Sequence, residues 1–355
     1  MTHWTSQGAL RVLGSGAALP GGPLATDALL DLLQSWLGPR ERAAAAAMAG
    51  QLGVARRHMA RPWRARIENP APGCSNPDLA AAAVRAALAD AGLAIGDVGF
   101  LIGHTATPAQ PLPSNIALVA DRLGYAGPHL ELRQACTGFA AALSVAWGLL
   151  ARADARPVVI VGSETGSVFF DPASLGPGDD QLVNLVQMGD GAGAVVLGPG
   201  TGRTGDRLEG AWYGAIGLGR APGLQMRAGG SDHPSSGDAP LRFEHDFRGV
   251  ARAGRALFTA AARAAAEQGT PVDRADRILP HQVSATVGAR LARLFKVPAE
   301  RFIGNAARVG NTGSAAIWIA FAEHRATRPP PGQTLLVLGA EATKHMHGGF
   351  TYAAG

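Results

Sequence analysis

Apolar and polar positions along the chain fall into two passages with the same order of elements. Leu79–Gly92 carries the alanine-rich face of a helix, and after a short turn Val98–His104 follows as an apolar strand ending in histidine. Cys136 then heads an apolar, alanine-rich helix, and Pro157–Glu164 reads as the next strand. Far downstream the order returns: helix at Ala256–Gln268, strand at Asp276–His281, Asn311 heading the apolar stretch Ala315–Ala322, and strand at Thr334–Glu341. His104 and His281 lie 177 positions apart, Cys136 and Asn311 175, and Val158 and Leu335 177. Three landmarks whose offsets agree to within two positions predict a duplicated α/β unit, with halves at 1–199 and 200–355, the first carrying the cysteine and the second His281 and Asn311. Unbroken β-branched runs such as Val158–Val161 read as strands buried on both faces, so the sheet should be covered by helices. Gly217–Pro240, rich in Gly, Pro, Ser and Asp, reads as a mobile surface excursion.

Composition narrows the class. The chain has 355 residues, 47% hydrophobic and 17% charged, which is globular and long enough for a large core. With only Cys74 and Cys136, no disulfide framework suggests itself and a reducing cytoplasm fits. The first residues lack the pattern of a signal peptide, and no uncharged apolar run reaches membrane-span length. The net charge of +5 is carried by arginine, concentrated in Arg56–Arg66. That stretch suits a phosphorylated cofactor or an acidic carrier protein, with Arg56, Arg57 and Arg61 as candidate docking residues; a merely solvated face explains it as well. No zinc spacing or RNA-binding motif accompanies it, which argues against nucleic acid.

Two motifs are set aside. Gly189–Gly193 leads into a strand and lacks the lysine and helix of a phosphate loop. His345 and His347 could share one side of a strand, but no third ligand stands near, so no metal is expected. The chemistry centres on Cys136. A lone cysteine is usually inert core, but a thiol on the first turn of a helix faces free N–H groups and the positive end of the dipole, both of which favour the thiolate. The repeat brings Cys136, His281 and Asn311 to one site. A thiol can take an acyl group from a thioester at little thermodynamic cost, while His and Asn donors can hold a second thioester's carbonyl as it becomes an enolate. A cysteine hydrolase uses the same residue types. However, the papain-type signature is absent, Thr137 breaks the caspase pattern, and His104 lies 32 residues upstream where that pattern wants ~50.

Ala135-Cys-Thr-Gly-Phe139, Gly189-Asp-Gly-Ala-Gly193, Leu279-Pro-His-Gln282 and Gly310-Asn-Thr-Gly-Ser-Ala315 stand in the order of the β-ketoacyl-ACP synthase III family, within the thiolase superfamily, and the resemblance covers nearly the whole chain. It implies an α/β fold of five layers (αβαβα), a homodimer, acyl-CoA or acyl-carrier-protein substrates and no cofactor. It makes Cys136 the acylated nucleophile, with His281 and Asn311 activating the second, malonyl or β-ketoacyl, thioester. Backbone N–H groups of Cys136 and Gly348 would form the oxyanion hole, since His347-Gly-Gly-Phe-Thr351 stands where the family has three glycines. Leu112 matches the residue that the partner subunit inserts into the acyl pocket, and Phe139 and Phe350 are expected to line that pocket. The chain departs from the family at Ser284, where a helper asparagine is usual, at Thr286, where a carrier-docking arginine is common, and at Asp179 and Asp180, in the loop that often supplies an adenine-stacking arginine. These departures point to a specialised member, serving a polyketide, polyene or dialkylresorcinol-type pathway, with a carrier-bound donor. Leu112, in place of the glutamate of enzymes that join two long chains head to head, disfavours that subtype. Acyl transfer to a hydroxyl or amine stays open as the alternative.

Overall fold

A computed structural model describes residues 3–64, 68–175, 181–200, 205–226, 228–234 and 243–355. Ten strands form one hydrogen-bonded sheet: β1 (His3–Thr5), β2 (Leu10–Ala18), β3 (Phe100–His104), β4 (His129–Leu132), β5 (Val158–Glu164), β6 (Gly191–Pro199), β7 (Arg207–Ala215), β8 (Arg277–Pro280), β9 (Thr334–Glu341) and β10 (Met346–Ala353). The helices are α1 (Thr26–Leu32), α2 (Pro39–Leu52), α3 (Asn76–Ala91), α4 (Asn115–Leu123), α5 (Gly138–Leu150), α6 (Gln181–Gln187), α7 (Phe247–Glu267), α8 (Val287–Phe295), α9 (Ala306–Val309) and α10 (Ala316–Ala326). None of the helices among the described residues is long and apolar enough to cross a membrane.

The sheet runs β8-β9-β10-β7-β2-β6-β5-β3-β4, with β1 on β7. It has two leaves, because β2 and β7 are joined only at Leu10–Leu208 and Arg11–Arg207. In one leaf β3 and β5 are parallel and β6 is antiparallel to β5; in the other β8 and β9 are parallel and β10 is antiparallel to β9. All seven residues of β5 are buried, as are all of β9 after Thr334, so both strands are covered on both faces as their unbroken apolar runs predict.

Three apolar clusters account for the covering. Outside the first leaf, α3 and α4 pack on Leu101, Val159, Val161 and Val196. Outside the second, α7 and α8 pack on Ile278, Leu336 and Leu338. Between the leaves lie α5 and α10, whose Phe139, Leu143, Trp318 and Phe321 touch residues of both. The result is five layers, helix–sheet–helix–sheet–helix. Close approach of the outer helix depends on glycine: a Cβ at Gly16 of β2 would sit 2.4 Å from the Ala87 backbone nitrogen of α3. A fourth cluster, built by α1, α2, α6 and Trp63, caps the end of the sheet near the site.

The excursion over 217–240 is more ordered than its composition predicts where it is described. Leu224–Met226 pairs antiparallel with Phe243–His245, while Leu218 is fully exposed. Arg227 and residues 235–240 lie outside the described residues.

Candidate active site

Cys136 lies in the turn between β4 and α5, half-buried, one residue before the helix N-cap Thr137 rather than on the first turn as expected. The electrostatics also differ from expectation. The Thr137 N–H and hydroxyl both donate to one oxygen of Glu341, at 2.8 and 2.7 Å, so a buried carboxylate occupies the positive end of α5. Burial pushes the Cys136 thiol well above its ordinary value, and the Glu341 and Glu164 carboxylates push it further. The resting nucleophile is therefore a neutral thiol, and a base must take its proton.

His281 follows β8, 1% exposed, its backbone N–H donating to Leu338 O at 2.8 Å. Burial holds its imidazole down at about 4, so it is neutral near pH 7, one ring nitrogen carrying a hydrogen to donate and the other a free lone pair. Asn311 is pinned by its backbone: its N–H donates to Gln187 O at 2.8 Å and its carbonyl accepts from Gly189 N at 3.1 Å. Its side-chain oxygen accepts from Gly313 N at 3.0 Å, which leaves the amide Nδ2 as the outward donor. Gln187, which the motifs did not single out, ties the two loops together, because its side-chain amide donates to Val283 O at 2.6 Å while its carbonyl holds Asn311. The Asn311 loop in turn meets the Cys136 loop where the Ser314 hydroxyl donates to Gln134 O at 3.4 Å. Gly348 lies on β10 between Gly339 and Tyr213, and a Cβ there would come within 2.5 Å of Ala140 Cβ in the nucleophile's helix.

A reciprocal pair of carboxylates frames the site. Glu341, ending β9, holds Thr137; Glu164, ending β5, accepts from Ser314 N and Oγ at 3.0 and 2.9 Å and from the Thr107 hydroxyl. Glu164 and Glu341 are 177 positions apart, and so are Thr137 and Ser314. In this pattern the counterpart of Cys136 is Gly313, which corrects the pairing of Cys136 with Asn311. Gly313 has φ +50°, and a Cβ on it would lie 2.4 Å from Glu164, so the second half has no room for a side chain where the first has its thiol. Both glutamates were visible as strand ends, Gly-Ser-Glu and Gly-Ala-Glu. His104 sits in the central layer, accepting from Trp318 Nε1 at 3.2 Å, with burial pulling it down to about 3.

Burial raises Glu164 to about 6. A carboxyl more basic in the folded chain than in the unfolded one favours folding at low pH. That stability is lost as pH rises from the ordinary carboxylate range through about 6, and the loss is complete above it. In urea unfolding at pH 4.5 and pH 7.5, Glu164→Gln should therefore gain on the wild type by up to about 2 kcal/mol at the higher pH. A difference independent of pH would remove this assignment. Asp190, also raised to about 6 and one of the charges that raise Glu164, is present in both chains.

Several expected site residues are placed elsewhere. Arg57 is fully buried, donating to Val186 O at 2.6 Å, and Arg61 is 2% exposed, donating to Phe170 O with its guanidinium 4.2 Å from the Trp63 ring centroid. Neither can dock a carrier or CoA. Their segment is folded inward by Asp190, which accepts from Ala60 N at 2.7 Å and donates its own N–H to His58 O at 2.8 Å. Arg56 alone of the three is exposed. Phe139 and Phe350 are also enclosed: they stand edge to face at 5.9 Å, and Phe350 stacks on Trp318 at 5.7 Å, so both rings pack the central layer rather than line an open pocket. Leu112 is 85% exposed. Asp179 and Asp180 lie outside the described residues, as does Arg66. His345 meets Ala221 O at 3.0 Å, and among the described residues no cluster of three His, Cys, Asp or Glu side chains could hold a metal ion.

Comparison with known proteins bears on this geometry. The family model described as 3-oxoacyl-[acyl-carrier-protein (ACP)] synthase III matches residues 130–215, and its C-terminal companion matches residues 265–355. A beta-ketoacyl-[acyl-carrier-protein] synthase III of Rubrobacter xylanophilus is 31% identical, covering 88% of each chain. A 3-oxopimeloyl-[acyl-carrier-protein] synthase of Rhodothermus marinus is 33% identical over 93% of this chain and 90% of its own. Among solved structures, a tetronic acid condensing enzyme superposes with a TM-score of 0.80 at 25% identity, over 97% of this chain and all of its own.

Proposed function

Since the chain belongs to the 3-oxoacyl-[acyl-carrier-protein] synthase III family and is an acyl-thioester condensing enzyme, we propose that Cys136 carries the acyl group and that His281 and Asn311 serve the carbon–carbon bond-forming step. The observation that carries this reading is the bonding of the three loops to one another: Gln187 holds both Asn311 and the Val283 carbonyl two residues past His281, and Ser314 of the Asn311 loop holds the Gln134 carbonyl two residues before Cys136.

In the first half-reaction Sγ attacks the donor's thioester carbonyl as its proton passes to the neutral His281 imidazole. The backbone N–H groups of Cys136 and Gly348 hold the oxyanion. The donor's thiolate leaves, taking the proton back from His281, so one thioester replaces another with no cofactor. In the second, a malonyl thioester enters with its carbonyl oxygen facing His281 and the Asn311 amide. Loss of CO2 leaves its electron pair as an enolate, held by those two donors. The enolate carbon attacks the acyl carbon, and Sγ departs as the thiolate and takes a proton from solvent.

Two copies pair in this reading. Among the described residues β4 is an edge strand hydrogen-bonded only to β3, with His129 and Leu130 exposed, and an open edge of this kind accepts a second copy of itself. The exposed Leu112 would then reach the partner's acyl pocket. Acyl carrier protein and acyl-CoA both serve as donors in this reading, and a specialised pathway rather than general chain initiation fits Ser284 and Thr286.

The test is a panel of acyl-CoAs and acyl carriers, each followed by malonyl carrier, with product masses read. Condensation predicts a β-ketoacyl product formed with release of one CO2 per turnover. An acyl group appearing on a hydroxyl or amine without CO2 release would replace condensation by acyl transfer.

A further inference from the structure

One histidine of the His345–His347 pair is left without a role by the condensing site. His347 is the residue before Gly348 on β10, so its side chain leaves the opposite face of the sheet, away from Cys136. It is 2% exposed, and its Nδ1 has no hydrogen-bond partner. The His3 ring on β1 stands edge to face with it, centroids 6.3 Å apart. Gly214 of β7 lies between the two rings: a Cβ there would fall 2.7 Å from His3 Cβ and 3.0 Å from His347 Nε2, so the space between them exists because the residue is glycine.

The two imidazoles form one wall of a cavity of about 440 Å³ whose other wall is α7. That helix lines it with Arg252, Arg255 and Arg263, on one face at spacings of three and eight residues, and with the small Ala256, Ala260 and Ala264 beneath them. The three arginines are exposed, and no described carboxylate pairs with any of them. The one acid on the rim, Glu267, is engaged by His3 at 3.1 Å. The cavity is of small-molecule size. Three unneutralised guanidiniums over a floor of methyl groups, with an unpartnered imidazole at the back, match a ligand with several anionic oxygens and a flat apolar part.

We propose that this groove is a second ligand site, distinct from the condensing centre, that binds a polyphosphate ester of nucleotide size, with its phosphates on Arg252, Arg255 and Arg263 and its uncharged end against the His3–His347 wall. Burial and the neighbouring His3 hold His347 down at about 4, so the wall is uncharged at that ring and the cationic charge of the groove comes from α7.

Calorimetric titration of the full chain with ADP and with pyrophosphate at 0.15 M salt tests this. Arg252→Ala/Arg255→Ala should weaken ADP binding about tenfold or more, and Arg290→Ala, on the separate helix α8, should not. All three arginines are exposed, so the variants should keep the wild-type melting temperature and acylation rate. Pyrophosphate binding more weakly than ADP, with the same loss in the double variant, would support the contact of the uncharged end with the imidazole wall. No saturable heat with either ligand at millimolar concentration would overturn the proposal, as would equal ADP affinity in the double variant. Binding of an acidic carrier protein that the double variant loses, without binding of ADP or pyrophosphate, would also overturn it and make this face a protein surface. Failure here leaves the reading of Cys136 untouched, since acylation is measured separately.

Discussion

Cys136→Ala is expected to abolish the covalent acyl adduct altogether, while Cys74→Ala keeps it. Intact-mass analysis after incubation with acyl-CoAs and acyl carriers reads this directly. Placement separates the two thiols. Cys136 is two residues before α5, beside the loop of Asn311 and the strand of Gly348, whereas Cys74 stands in the turn before α3 in the outer layer. The half-buried, carboxylate-flanked thiol adds a pH signature. Alkylation by iodoacetamide, which needs the thiolate, should be slow at pH 7 and climb steadily into the alkaline range, because the thiol lies well above its ordinary value. Acyl transfer from a thioester, with His281 available as base, should already be fast at pH 7. An adduct surviving in Cys136→Ala would overturn the nucleophile assignment; fast alkylation at neutral pH would overturn the neutral-thiol account and leave the nucleophile in place.

What the sequence made legible and what it hid divide along physical lines. The buried strands were readable because a strand covered on both faces must be apolar throughout, as Val158–Val161 is. The nucleophile, histidine and asparagine were readable because few side chains can do this chemistry and their order is characteristic. The state of the thiol was not, because Glu341 acts on it from 205 positions away and no local pattern places a strand-end carboxylate over a distant helix. Arg57 and Arg61 misled because charge is ordinarily a surface signal. Here Asp190 pulls their segment under the capping helices, where each guanidinium donates to a backbone carbonyl and that of Arg61 also lies over a tryptophan face. Phe139 and Phe350 misled for a related reason. An aromatic ring near a catalytic residue can face the cavity or the core, and only the packing against Trp318 and Phe321 decides.

His281→Ala and Asn311→Ala should each lower condensation by about 10²–10³ while Cys136 still accumulates acyl groups, because each removes one donor from the carbonyl that gains charge as the enolate forms. The two should differ in the first step. Asn311 has its side-chain oxygen tied to Gly313 and only its Nδ2 to offer, so Asn311→Ala should load acyl groups at nearly the wild-type rate. His281 also serves as base to a thiol that cannot ionise unaided, so His281→Ala should load slowly at pH 7 and recover as pH rises toward the thiol's own range. Imidazole, held down at about 4 by burial, keeps this role across neutral pH, and wild-type loading should fall only as pH drops toward that value. Rapid-quench intact-mass measurement of loading, set beside CO2 release for condensation, separates the half-reactions. Loss of acylation in both variants, with normal turnover of enzyme loaded beforehand, would reverse the roles. Pure loss of the second step in both would keep them as enolate donors and strip His281 of its part as the base.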